Sequence, residues 1–70
     1  MRVGVQFEPN GPVVPYAMEG SWDLGTRVIC PDPEDRDRQI AGTVVEVNAD
    51  GTEDGLPGVI RVMAPGEQFL

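Results

Sequence analysis

Three valine-rich runs, each opened by a glycine, set the tightest limit on what this chain can fold into. They are Gly25-Thr26-Arg27-Val28-Ile29-Cys30, Gly42-Thr43-Val44-Val45-Glu46-Val47 and Gly58-Val59-Ile60-Arg61-Val62. β-Branched side chains are stiff at χ1 and fit a pleated, half-buried surface. A glycine at the head of each run lets the backbone coil tightly. Three such runs within 70 residues predict one small all-β domain spanning residues 1–70, an antiparallel barrel of about five strands. A flat two-layer sandwich is the alternative architecture.

Residues 2–8 alternate, with Val3, Val5 and Phe7 on one face, which predicts a half-buried strand. Pro9-Asn10-Gly11-Pro12 ends it in a turn. Val13 and Val14 extend a second short strand, and Pro15 denies that strand a central place because proline cannot donate to a ladder. Residues 16–24 carry most of the large side chains but no helical period, so an irregular loop or single turn is expected, with Trp22 and Leu24 capping one end of the barrel. Pro31 to Gln39 holds two prolines and six charged residues in nine positions, the composition of an exposed, solvated loop. Ile40 to Val47 is the longest strand, with Thr43, Val45 and Val47 on one face and Val44 and Glu46 on the other. Gly42 marks a bulge or sharp coil within it. Residues 48–55 read as a long hairpin loop. In the last strand Ile60 and Val62 share one side, with Val59, Arg61 and Met63 on the other; Phe69 and Leu70 form a short apolar tail.

The stretch Gly25–Val62 resembles the SH3-like barrel in its general form. The resemblance rests on a Gly-x-x-Val strand at Gly25, a charged loop, a Gly-x-Val strand at Gly42, a hairpin and the final strand Val59-Ile60-Arg61-Val62. Translation-type KOW domains, and small barrel subunits of photosynthetic and metal enzymes, look similar. The resemblance covers a little over half of the chain and implies the fold. RNA-binding KOW families carry lysine and arginine in their loops, whereas here the loops hold Asp32, Glu34, Asp35, Asp37, Asp50, Glu53 and Asp54. The signalling type of SH3 domain needs an aromatic-lined groove, and the four aromatic residues here are scattered.

Composition narrows the function classes. Five arginines, no lysine and 12 carboxylates give a net charge of −7, which repels phosphate backbones and anionic membranes. The lack of lysine beside many Arg, Gly, Pro, Val and Asp residues suggests a GC-rich bacterial or phage genome. Without histidine or lysine, the commonest general base and the amine nucleophile are missing. Ser21 has no adjacent base, and the single Cys30 reads as a small core residue. No disulfide can form within the chain, and neither a metal nor a cofactor is expected. The acidic run from Asn48 to Asp54 lacks EF-hand spacing and reads as a solvated hairpin. No signal peptide or membrane span is visible. A lone cysteine suits a reducing, cytoplasmic setting, or a virion if the gene belongs to a phage. A start at Met1 gives the expectation of a complete small reading frame.

The expectation is therefore a non-catalytic protein-interaction module, a small phage or bacterial accessory protein that binds a basic partner protein, binds no nucleic acid directly and can form homo-oligomers. Its partner-binding residues are Asp32, Glu34, Asp35 and Asp37 in one loop and Asp50, Glu53 and Asp54 in the other. Trp22 and Tyr16 join them as an apolar docking patch. A structural component of a virion, or an inhibitor that mimics nucleic acid, is the alternative.

Overall fold

β1 (Arg2–Gln6) follows its period-two pattern: Val3 and Val5 are buried while Arg2 and Gln6 reach the surface. The strand stops short of Phe7 because a turn begins there, closed by the Gly11 N–H donating to the Glu8 carbonyl at 3.0 Å. Asn10 takes the left-handed backbone, φ 62°, that such a turn requires. The structure, a computed structural model, describes residues 1–48 and 50–68. Phe69 and Leu70, expected as an apolar tail, lie outside the described residues.

β2 (Val13–Ala17), β3 (Arg27–Pro31), β4 (Gln39–Asn48) and β5 (Arg61–Val62) complete one antiparallel sheet in the order β2-β1-β4-β3-β5. The fold is all-β. β2 is longer than the sequence suggests, taking in Tyr16 and Ala17. Pro15 is tolerated because β2 is an edge strand. Ala17 bonds outward to Pro57 and Val59, so by the alternation of a ladder Pro15 also faces outward, where its missing N–H breaks no pairing with β1.

The sheet does not close into a continuous barrel. Instead, residues 57–63 run between its two edges. Ala17 N–H donates to the Pro57 carbonyl at 2.9 Å and Val59 N–H to the Ala17 carbonyl at 2.8 Å, forming a single parallel bridge between Ala17 and Gly58. The chain then switches sides. Ile60 N–H donates to Ile29 at 2.8 Å, and β5 pairs with β3. The expected last strand, Gly58–Val62, is thus two attachments rather than one ladder. The switch resets the alternation: Val59 and Val62 both pack on the core, while Ile60, expected to share a side with Val62, is exposed.

The predicted bulge exists, but at Val45. Gly4 pairs with Glu46 and Val5 with Val44, which leaves Val45 as the extra residue. One inserted residue reverses the parity of everything after it. Val44 and Glu46 therefore part company: Val44 lies opposite buried Val5, Glu46 opposite Gly4 on the outer face. Gly42 has a different task. A Cβ there would stand 2.5 Å from Val5 Cγ1 and 2.8 Å from Phe7 Cδ1, so its bare backbone makes room for two core side chains.

The core is Val3, Val5, Tyr16, Met18, Val28, Cys30 and Val44. Met1, Phe7, Val14, Val59 and Val62 pack around it. Phe7 meets Tyr16 edge to face, with ring centroids 6.0 Å apart. Ile29 is also fully buried but stands outside this cluster, on the opposite face of β3. Among the described residues no helix is long and apolar enough to cross a membrane.

Candidate functional site

Two residues of the expected apolar patch separate in the structure. Tyr16 is not at the surface. It sits in β2 with its ring in the core, and its hydroxyl donates to the Pro31 carbonyl. Period two in β2 turns it inward with Val14. Burial, then the neighbouring Cys30 and Asp32, push its pKa up to about 12, against the smaller opposing pull of Arg36. Tyr16 is thus withdrawn as a docking residue. Cys30 beside it is fully buried, and burial pushes its thiol up to about 12.

Trp22 remains 41% exposed and Leu24 64% exposed, so neither seals the end of the sheet. The reason is local. After Met18, anchored by its N–H to the Met1 carbonyl at 2.8 Å, the chain turns at Gly20 with φ 84°. The Trp22 indole N–H donates back to the Glu19 carbonyl at 2.9 Å. That bond holds the ring against Gly20, on its own turn, rather than over the core.

The turn makes one wall of a cleft of about 380 Å³, and residues 58–62 make the other. Ala17, Met18, Trp22, Val59 and Ile60 supply its apolar lining, and Glu19, Glu53 and Arg61 its charged groups. Ile60, 46% exposed, faces outward because of the switch between the two sheet edges. Nothing in the sequence marked Ile60 for this place, since it lies inside a run that reads as one continuous strand. The glycine at position 58 was the available signal that the run changes partners.

The seven loop carboxylates leave β4 at its two ends, and the second loop then runs back until Gly55 lines one cleft with Asp32 and Arg36. The loop carrying Asp32, Glu34, Asp35 and Asp37 joins β3 to the start of β4, whereas Asp50, Glu53 and Asp54 follow its end. Ten residues of strand reach about 30 Å, close to the longest dimension of the molecule, 32 Å. The first loop is also well organised. Asp35 N–H donates to the Asp32 carbonyl, Arg38 N–H to the Asp35 carbonyl and Asp32 N–H to the Arg38 carbonyl. The Asp32 and Asp35 carboxylates accept the N–H groups of Glu34 and Asp37 at 2.9 and 3.1 Å. Two of its four acids therefore shape the loop, leaving Glu34 and Asp37 as its outward charges. In the second loop the Glu53 carboxylate meets the Met1 ammonium. Residues 55–57 border a cleft of about 280 Å³ with Pro31, Asp32 and Arg36 beside buried Tyr16.

No protein-family model matches the chain, and no curated protein or solved structure is significantly similar to it.

Proposed function

We propose that this chain is a non-catalytic binding module that docks a basic partner protein at the Trp22–Ile60 cleft. The observation that carries this reading is the cleft itself: a tryptophan and an isoleucine, each more than one-third exposed, face a pocket floored by Met18 on a domain with few large apolar side chains to spare. Tryptophan in a partly formed pocket is the residue type that anchors interfaces. Glu19 in the lining has no ion-pair partner among the described residues, Glu53 is met by the Met1 ammonium and Arg61 by Glu67, so Glu19 and the net charge of −7 favour a cationic partner and speed its approach. The exposed acids Glu34 and Asp37 do not line this cleft and add to the long-range field rather than to contact.

The test compares the protein with Trp22→Ala and Ile60→Ser as immobilised baits, with partners identified by mass spectrometry at low and moderate salt. Both variants are expected to keep their melting temperature and lose the same basic partner, whose capture by the parent weakens with salt. Equal capture by parent and variants removes the cleft from the function.

A further inference from the structure

β4 outruns β3. The β3 pairing covers Gln39 to Thr43, and bonds from Gly25 N–H to the Val44 carbonyl (2.8 Å) and from Val44 N–H to the Thr26 carbonyl (2.9 Å) add one more residue. Gly25, with φ 89°, then turns the preceding chain away. From Val45 to Asn48, β4 has β1 on one side and, among the described residues, no strand on the other. The phase of the ladder fixes which groups face that gap. Ala17 bonds away from β1, so Tyr16 bonds toward it and Val3 toward β2. Arg2 and Gly4 consequently bond to Asn48 and Glu46. Val47, opposite Val3, directs its N–H and C=O into the open side.

The side chains there suit a strand. Val45 and Val47 are 38% and 37% exposed, and Leu24 is held alongside by the Gly25–Val44 bond. Glu46, and Asp23 and Asp50 in the flanking turns, are exposed and have no ion-pair partner among the described residues. The opposite edge differs: β2 presents Pro15 outward, which denies an incoming strand a donor.

We propose that the Val45–Asn48 edge takes up an extended segment of a partner protein as an added strand, the segment alternating apolar residues with lysine or arginine. Main-chain bonds to Val47 supply the docking register, Val45, Val47 and Leu24 receive the apolar side chains, and the three carboxylates receive the cations. A second copy of this chain is disfavoured as occupant, because it sets −7 against −7 and brings Glu46 of both copies to one seam. The proposal rests on the binding-module reading but uses a surface separate from the Trp22 cleft.

The probe is a capped synthetic peptide of three Val-Arg repeats, titrated into the ¹⁵N-labelled full chain, beside the same peptide N-methylated at alternate residues. Expected are shift changes at Val45 to Asn48 and Leu24, slowing of the Val47 amide exchange by about tenfold at saturation, and affinity weakened about tenfold by N-methylation. Val47→Pro, which removes the outward N–H, weakens binding more than Val47→Ala, which trims the side chain and keeps that N–H; Glu46→Lys weakens it without touching the backbone. Equal affinity for the N-methylated peptide overturns the proposal, as does failure to bind at millimolar concentration. Shifts confined to Trp22 and Ile60 overturn it while leaving the binding module standing. Dimerisation through β4, seen by light scattering, replaces the partner with a second copy and also overturns it.

Discussion

Replacing Gly42 with alanine tests the packing logic at the centre of β4. Its backbone is not in the left-handed region, so the effect is steric. The new methyl would lie 2.5 Å from Val5 Cγ1 and 2.8 and 2.9 Å from two Phe7 ring carbons, where ordinary carbon contacts need about 3.5–4.0 Å. Phe7 is half-buried and can swing by rotation about χ1. Val5 is fully buried, in a strand paired on both sides, and cannot retreat by the required ångström or so. Overpacking of this kind costs about 1–3 kcal/mol. The lost glycine returns about 0.5–1 kcal/mol of chain entropy. From the middle of both ranges the net expectation is a loss of about 1 kcal/mol, or a melting temperature lower by roughly 4–8 °C in a domain of this size. Urea unfolding followed by circular dichroism measures it, with the midpoint moving and the slope unchanged. In a Val5→Ala background, where the clashing methyl is gone, Gly42→Ala should cost at least about 0.5 kcal/mol less. Gly58→Ala is the control: its Cβ meets nothing nearer than 4.0 Å, and it is expected to be neutral or stabilising by about 0.4–1 kcal/mol. A Gly42→Ala protein as stable as the parent, or one whose loss is the same with and without Val5, refutes the reasoning.

Three further outcomes follow from the same structure. The Arg61 guanidinium, with the Ala64 N–H, holds the Glu67 carboxyl down at about 2; a depressed folded pKa stabilises above the unfolded value of 4.5 and is lost as pH falls toward 2. The melting-temperature gap between the parent and Glu67→Gln should therefore close between about pH 5 and pH 2, and a gap constant with pH refutes the pairing. Cys30, buried with its thiol near 12, should resist iodoacetamide at pH 8 in the native protein and react at once in denaturant; fast native labelling measured by mass spectrometry contradicts its burial. Tyr16→Phe leaves the Pro31 carbonyl without its donor and should cost about 1–2 kcal/mol in urea unfolding, a value near zero showing that water replaces the hydroxyl.

The strands were readable wherever period two or a run of β-branched residues carried the signal: β1 from Val3, Val5 and Phe7, β3 from Val28 to Cys30, and the whole of β4. Pro15 announced an edge because a missing N–H has only one tolerable place. What escaped reading depends on partners distant in sequence. Whether Gly42 or Val45 carries the bulge is decided by the register against Gly4 and Val5. The parity of Val59 and Val62 is decided by a change of neighbour at Ile60. The exposure of the candidate residues depends on the same kind of distant partner. Trp22 lies at the surface because its own turn holds it there. Tyr16 does not, because β2 extends two residues further than its prolines suggested. Charge in the loops was plain from the sequence, but the return of the second loop toward Asp32 and Arg36 required the fold.

The segment from Pro57 to Met63 has a dynamic consequence. Its amides and carbonyls are shared between β2 and β3, two strands that do not pair with each other. Its detachment frees both of them in a single opening event. The amides of Ala17, Val59, Ile60 and Met63 should therefore exchange with solvent hydrogen as one cooperative group, at a lower free energy than the β1–β4 ladder. While it is open, the outer edge of β3 is bare as far as Ile29, a fully buried side chain in the closed state. The weak point of this domain is thus a clasp seven residues long, tied at Arg61 to Glu67 just beyond its end.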